Sequence, residues 1–111
     1  MENQVMEAQI KLTKTMLDKA IIDANNSVRE FVKSYGVDFN KMKSGDRATL
    51  EAKFIDGTET VINLYRTNNA RGDRRVSIKG IKAKAEVGNT VIFKTKNYPY
   101  QVGSGIQIEI H

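Results

Sequence analysis

The segment TLEAKFIDGTETVINLYR, residues 49–66, decides the fold of this chain. Residues 49–55 and residues 59–66 are rich in strand formers. Asp56 and Gly57 stand between them, and an Asp-Gly step between two such runs is a signal for a tight β-hairpin. The segment therefore predicts two consecutive antiparallel strands joined at Asp56-Gly57.

Other segments on both sides of this hairpin also have the pattern of short strands. Alternating or strongly apolar runs occur at residues 9–13, 74–79, 90–96 and 106–110. A turn region with one proline is expected over residues 98–105. The alternation predicts a core that includes Ile10, Leu12, Leu50, Val76, Ile78, either Val91 or Ile92, Ile106 and Ile108.

One helix is predicted at about residues 27–35. Asn25 begins a stretch with turn and N-cap chemistry, and Ser27 with Glu30 three residues later fits a capping box. Gly36 supplies the C-terminal stop. The apolar face of this helix consists of Val28, Phe31, Val32 and Tyr35.

The segment before that helix is ambiguous. Residues 16–21 place apolar side chains at helical spacing, but residues 20–22 could also pair as a brief strand. Six or seven short strands with one or two short helices are typical of a small barrel or sandwich. We therefore expect a mainly β, single-domain pseudobarrel over residues 1–111.

A weak internal repeat supports a barrel of two similar halves. Residues 43–50 (KSGDRATL) and residues 86–93 (EVGNTVIF) each combine Gly, then Asp or Asn, then alternating apolar residues. This pattern is typical of a tight turn that leads into a strand.

Composition excludes several classes of protein. The chain lacks cysteine and has one histidine, at its last position, which excludes disulfide scaffolds, thiolate zinc sites and a Ser-His triad. No apolar run is long enough to span a membrane, and no secretory signal is visible, so a cytoplasmic protein without a membrane partner is expected. We also expect no enzymatic activity, no metal and no small-molecule cofactor.

A nuclease centre would need a cluster of carboxylates around a metal ion. The acids considered for such a centre are Asp18, Asp23, Asp46, Asp56 and Asp73 with Glu51 or Glu59, and a role in turns explains Asp46 and Asp56 better.

The positive charge is concentrated in one stretch. The chain carries a formal net charge of +5, and residues 64–84 hold seven basic residues against one acid, while the other segments are close to neutral. A localised basic segment on a neutral body is typical of a polyanion binder. A solvated loop that keeps the protein soluble is the plain alternative.

Residues 66–79, which we call the basic arm, carry both kinds of DNA contact. Arginine can donate two hydrogen bonds to guanine and asparagine can pair with adenine, while Ser, Thr and Lys bind phosphates. Strand-borne Arg66, Arg74, Arg75 and Lys79 are expected to face outward and follow the DNA backbone. Asn68, Asn69 and Arg71 at the loop tip are expected to reach base edges. The candidate residues are Arg66, Thr67, Asn68, Asn69, Arg71, Arg74, Arg75, Ser77 and Lys79.

The order of motifs resembles the B3-type DNA-binding pseudobarrel of plant transcription factors and bacterial restriction endonuclease recognition domains. The matching motifs, in order, are Leu12-Thr13-Lys14-Thr15, Phe31-Val32, Gly45-Asp46-Arg47-Ala48-Thr49-Leu50, Asp56-Gly57, the basic run from Arg66 to Gly80, and Gly88-Asn89-Thr90-Val91-Ile92-Phe93. Between the last two motifs, residues 81–87 leave room for at most one helical turn.

The resemblance implies a protein that grips the major groove of double-stranded DNA with two arms. The first arm maps to Lys14, Thr15, Asp18 and Lys19, and the second to Arg66 through Arg75. It also implies a recognition part of a restriction or mobile-element system, with a protein partner that carries the catalytic domain. Two other hypotheses stay open: a phage or mobile-element module that uses its basic face on an acidic protein partner, and an RNA-associated barrel.

Overall fold

The computed structural model describes residues 7–95 and 105–111 of the chain. Its strands are β1 (Glu7–Lys11), β2 (Ile22–Asp23), β3 (Arg47–Phe54), β4 (Glu59–Arg66), β5 (Arg74–Ile78), β6 (Thr90–Thr95) and β7 (Ile106–Ile110). Its helices are α1 (Lys14–Lys19), α2 (Asn26–Lys33) and two 3-10 turns, Phe39–Lys41 and Ile81–Ala83. The turn region expected over residues 98–105 lies outside the described residues except for Gly105, as does Lys96 at the end of the predicted sixth strand.

The hairpin predicted at Asp56-Gly57 joins β3 to β4. The two strands pair antiparallel, with Leu50 opposite Ile62. The Gly57 amide donates to the Phe54 carbonyl at 2.8 Å, and Gly57 takes a φ of +91°, which favours glycine. The prediction of two strands joined at this step is confirmed.

The seven described strands form one curled sheet in the order β1-β6-β7-β3-β4-β5-β2. All neighbouring pairs are antiparallel except β3 with β7. The edge strand β1 is joined to the start of α2, because Asn25 Nδ2 donates to the Gln9 carbonyl at 3.0 Å and Ser27 Oγ accepts from the Gln9 amide at 3.2 Å. The mainly β pseudobarrel with two short helices is confirmed.

The buried core follows the predicted alternation closely. Ile10, Leu12, Val76, Ile78, Val91, Ile106 and Ile108 are all buried. In β6 it is Val91 that faces the core, together with Phe93, while Ile92 is half-buried. Leu50 was expected in the core but is half-buried, because it packs against the edge of the cluster.

Helix α2 closes one end of the curled sheet. Val28, Phe31 and Val32 are buried, and the Phe31 ring lies 5.8 Å from the Phe93 ring. Tyr35 stacks on Phe31 at 5.2 Å between ring centroids. The predicted apolar face is therefore confirmed.

The predicted capping box at the start of α2 is wrong. Asn25 is the N-cap, and its Oδ1 accepts from the Val28 amide at 2.9 Å. The helix begins at Asn26, and the Ser27 hydroxyl contacts β1 through Gln9 instead of capping. The sequence offers two capping residues two positions apart, Asn25 and Ser27, and the contact of Ser27 with β1 decides between them.

The ambiguous segment before α2 contains both predicted structures. Thr13 caps α1 by accepting from the Met16 amide at 3.2 Å, so β1 ends at Lys11, before the predicted residue 13. Helix α1 ends at Ala20, whose φ is +55°, and two residues later the short β2 begins.

Candidate nucleic-acid interface

Two equivalent turns fix the points where the first arm and the basic arm leave the sheet. Asp46 Oδ2 accepts from the Lys43 amide at 2.9 Å, and Asn89 Oδ1 accepts from the Glu86 amide at 2.8 Å. Both turns carry a glycine of positive φ, Gly45 at +85° and Gly88 at +92°. The sequence repeat is therefore a repeat of hydrogen-bond geometry.

Each of these turns binds the end of the strand that precedes an arm. The Gly45 amide donates to the Arg66 carbonyl at 2.9 Å, and the Gly88 amide donates to the Leu12 carbonyl at 2.9 Å. Leu12 is followed by α1 and Arg66 by the basic-arm loop. The two arms thus leave the sheet from equivalent positions.

The first arm is an exposed helical turn with a partly balanced charge. Lys14 Nζ lies 2.7 Å from Asp18 Oδ2, and the hydrogen bond and charge of Lys14 lower the pKa of Asp18 below its ordinary value. Thr15 and Lys19 are exposed on the same helix. Lys82 donates to the Asp18 carbonyl at 3.1 Å and adds positive charge beside α1.

The loop of the basic arm is organised around the side chain of Asn69. Its Oδ1 accepts from the Thr67 hydroxyl at 2.8 Å and from the Gly72 amide at 2.8 Å. Its Nδ2 donates to Asp73 Oδ2 at 3.1 Å. Both Asn68 and Asn69 are exposed, and Asn69 was expected to reach base edges, but its amide is engaged inside the loop, whereas the Asn68 amide makes no hydrogen bond to the described residues.

Asp73 holds two arginines of the basic arm. Its Oδ2 accepts from Arg71 Nη2 and from Arg75 Nη2, each at 3.1 Å. The hydrogen bond from Asn69, followed by the charges of Arg71 and Arg75, holds the pKa of the Asp73 carboxyl below its ordinary value. The carboxylate therefore stays ionised and neutralises only part of the local charge.

Arg66 and Arg74 face each other across the end of β4 and β5. Arg66 lies two positions after the buried Leu64, and Arg74 lies two positions before the buried Val76. Because alternate strand residues share a face, both arginines lie on the inward side of the sheet. This differs from the outward orientation that we expected from the sequence.

The two inward arginines are tied to backbone carbonyls of the protein, and Arg74 is tied to the loop itself. Arg66 Nη1 donates to the Met42 carbonyl at 2.7 Å, and Arg74 Nη1 donates to the Gly72 carbonyl at 2.7 Å. Within the described part of the chain, the Nε atom of each is buried without a hydrogen-bond partner.

The outer face of β3, β4 and β5 carries the remaining predicted residues of the basic arm. Arg75 lies opposite Tyr65, and Tyr65 lies opposite Arg47, whose guanidinium is 5.9 Å from the Tyr65 ring centroid. Ser77 is half-buried beside Asn63 Nδ2 at 3.4 Å, and Lys79 is exposed.

An arginine-lined cleft of about 320 Å³ lies beside the basic arm. We call it the arginine cleft; it is lined by Asp23, Arg29, Arg71, Gly72, Asp73, Arg74 and Arg75. Sequence reasoning missed Asp23, which enters the cleft through the pairing of the two-residue strand β2 with β5, and Arg29, which enters it from α2. A strand of two residues leaves no periodic signal.

No family model, curated protein or solved structure that was compared with the chain matches it. Over residues 7–95 and 105–111, no helix is long and apolar enough to cross a membrane. The same residues contain no cluster of three or more acidic or histidine side chains suited to holding a metal ion.

The two arms lie at opposite ends of the β2–β5 pair. The basic-arm loop enters β5 at Arg74, and β5 leads to the 3-10 turn Ile81–Ala83, which packs against α1. The five residues of β5 span roughly 13 Å at about 3.3 Å per residue. Strand β5 therefore lies between the loop of the basic arm and the 3-10 turn against which α1 packs.

Proposed function

We propose that this chain binds double-stranded DNA, without catalysis, through the basic arm and the first arm. The observation that carries the proposal is that two exposed arms leave the sheet after equivalent turns, with the localised positive charge on one of them. The major groove of a DNA duplex is wide enough to admit a two-stranded ribbon or its loop. The one-turn element at Ile81–Ala83 is as short as the sequence predicted.

The contacts in the structure divide the candidate residues into two groups. Arg66, Thr67, Asn69 and Arg74 hold the loop of the basic arm in shape. The exposed or outward residues are the ones that we assign to DNA contact: Lys14, Thr15 and Lys19 of the first arm, and Asn68, Arg71, Arg75, Ser77 and Lys79 of the basic arm. Asn68 and Arg71 are the two whose chemistry suits base edges.

The resemblance to B3-type domains is part of this proposal and not a separate result. The mainly β sheet with two short helices supports it at the level of fold class. On that basis the chain acts as a recognition module, and any cleavage of DNA is carried out by a partner with its own catalytic domain.

The test is duplex binding at two salt concentrations, measured by fluorescence anisotropy with a random duplex. If about five phosphates are neutralised, the slope of log K against log salt is roughly −4.5, and affinity falls on the order of 500-fold between about 50 and 200 mM. Arg71→Ala removes a base-edge candidate whose side chain is 78% exposed, so folding is unaffected. Lys53→Ala is the matched control, because it removes an exposed charge from β3, away from both arms.

We expect Arg71→Ala to weaken duplex binding and Lys53→Ala to leave it unchanged. Equal effects of the two substitutions would show that only net charge matters. Binding that is independent of salt would contradict the proposal and favour the acidic-protein partner. Tighter binding of single strands than of duplex would favour the RNA-associated alternative.

A further inference from the structure

The arginine cleft brings together charges from three separate segments of the chain. Arg29 comes from α2, Asp23 from β2, and the other charged residues come from the basic-arm loop and the start of β5. Four guanidinium groups and two carboxylates line about 320 Å³, which gives the cleft a formal charge of +2. The guanidinium group as a chemical class keeps its proton at any accessible pH, so the cleft does not lose positive charge when the pH rises.

The charges inside the cleft are not balanced by the protein. Asp73 pairs with Arg71 and Arg75 through one oxygen, each at 3.1 Å. Arg29 and Asp23 form no ion pair with other described residues. Converging like charges repel each other, and an anion in the cleft relieves that repulsion.

Hydrogen-bond donors remain available in the cleft. Arg29 uses Nε to donate to the Ala24 carbonyl at 2.9 Å, which fixes the side chain and leaves its two terminal nitrogens without a partner among the described residues. Arg71 is largely exposed and uses only Nη2. The planar fork of arginine donates in pairs to the oxygens of a phosphate.

From this geometry we infer that the arginine cleft is a binding site for a single phosphate group, and that it prefers the dianion of a phosphomonoester to a phosphodiester. The inference deepens the proposed DNA-binding function. It rests on that function in one respect: in a duplex, the phosphate group would be the one at a phosphorylated DNA end. The cleft chemistry itself applies equally to free phosphate.

The preference for a dianion follows from charge and size. A phosphomonoester carries a charge of about −1.5 to −2 at neutral pH, which matches the excess of the cleft, whereas a phosphodiester carries about −1. A volume of about 320 Å³ is at the lower end of the range for small-molecule pockets. The cleft therefore has room for one phosphate and the group attached to it.

Titration of the free protein with inorganic phosphate tests the site without DNA. The Nε–Hε signals of the arginines are followed by NMR, against sodium chloride at equal ionic strength. We expect saturable shifts in Arg29, Arg71 and Arg75 with phosphate only. Arg29→Lys keeps the charge but removes the fork and should weaken binding about tenfold, since a charged hydrogen bond has about that effect. Lys53→Ala should have no effect.

The protonation of the ligand gives a second, independent readout. A phosphomonoester loses about half of its second charge near pH 6, so its affinity for the cleft should fall as pH falls from 7.5 to 5. The inference would be overturned if the arginine NMR shifts caused by phosphate were linear and equal to those caused by chloride. It would also be overturned if Arg29→Lys bound phosphate with unchanged affinity.

Duplexes that differ only at their ends separate this inference from the proposed function. We expect a duplex with 5′-phosphates to bind more tightly than the same duplex with 5′-hydroxyls, and Arg29→Lys to abolish the difference. If phosphate binds saturably but neither duplex binds, the cleft stands and the proposed function fails. If both duplexes bind equally and phosphate does not saturate, the cleft inference fails and the proposed function stands.

Discussion

Gly72 lies so close to Arg66 that a Cβ atom at position 72 would come within 2.5 Å of Arg66 Nε. Gly72 is buried and its φ is +61°, which favours glycine. Arg66 cannot move away freely, because its Nη1 donates to the Met42 carbonyl. The basic arm therefore depends on a glycine that allows an inward arginine to pass beneath the loop.

Gly72→Ala should destabilise the protein by at least about 2 kcal/mol, because it adds a steric conflict to the cost of a left-handed backbone, which alone is about 1–2 kcal/mol. Gly57→Ala is the matched control. Gly57 has a φ of +91° but nothing lies within 4 Å of an added Cβ, so only the backbone cost applies. Chemical denaturation measures the free energy of unfolding of both variants.

A double substitution separates the two contributions. Arg66→Ala removes the group that the new methyl would meet, so the combined Gly72→Ala/Arg66→Ala variant should be more stable than the sum of the single effects predicts. Strict additivity would show that the close approach of Arg66 carries no energetic weight.

The repeated turns predict that Asp46 and Asn89 are interchangeable. Each accepts from a backbone amide three positions earlier through a side-chain oxygen. Asp46→Asn and Asn89→Asp should each change the free energy of unfolding by less than about 0.5 kcal/mol, whereas Asp46→Ala and Asn89→Ala should each cost about 1 kcal/mol. A large loss in Asn89→Asp alone would show that the two turns are not equivalent in solution.

The fold was predictable where local signals are strong. Alternation located β1, β3, β5, β6 and β7, and Asp56-Gly57 located the hairpin. The start of α2 was misplaced because Asn25 and Ser27 are both good caps, and only the contact of Ser27 with Gln9 decides between them. Such a contact joins distant parts of the chain and leaves no local pattern.

The sequence predicted which segment carries the candidate site, but it did not predict which way the side chains of that segment point. The charge of the basic arm is visible in composition. The inward turn of Arg66 and Arg74 depends on the register of β4 with β5, and the entry of Arg29 into the arginine cleft depends on how α2 packs. Neither register nor packing can be derived from residue types alone.

Ile78→Ala should cost about 2–5 kcal/mol, because Ile78 is 2% exposed and lies opposite the buried Ile62. Leu50→Ala is the comparison, since Leu50 is only half-buried and should cost less. Urea denaturation followed by circular dichroism gives both values. An equal loss in the two variants would place Leu50 in the core.

Stability should fall in acid through the contact between Asp56 and Lys84. The hydrogen bond from Lys84, together with those from Thr58, lowers the pKa of Asp56 well below its ordinary value of 3.8. A lowered folded-state pKa stabilises the protein above the unfolded value, and this contribution is lost as pH falls below about 3.8. Asp56→Asn should therefore flatten the pH dependence of unfolding below pH 4. An identical acid profile in the variant and the parent would contradict this assignment.

Asn68 and Asn69 should differ sharply when each is replaced by alanine. Asn69 makes three hydrogen bonds inside the loop of the basic arm, to Thr67, Gly72 and Asp73. Asn69→Ala should therefore loosen the loop and weaken binding to every duplex, while also lowering the free energy of unfolding by about 1–3 kcal/mol.

Asn68→Ala should leave the free energy of unfolding unchanged, because the exposed Asn68 side chain, unlike that of Asn69, makes no hydrogen bond to the described residues. If Asn68 contacts a base edge, its loss should cost about 1–3 kcal/mol on a preferred site selected from random duplexes and little on random DNA. Anisotropy titrations on both duplexes, with thermal unfolding of each variant, make the comparison. Selective loss in Asn69→Ala with full stability would reverse the roles that the hydrogen bonds assign to these two residues.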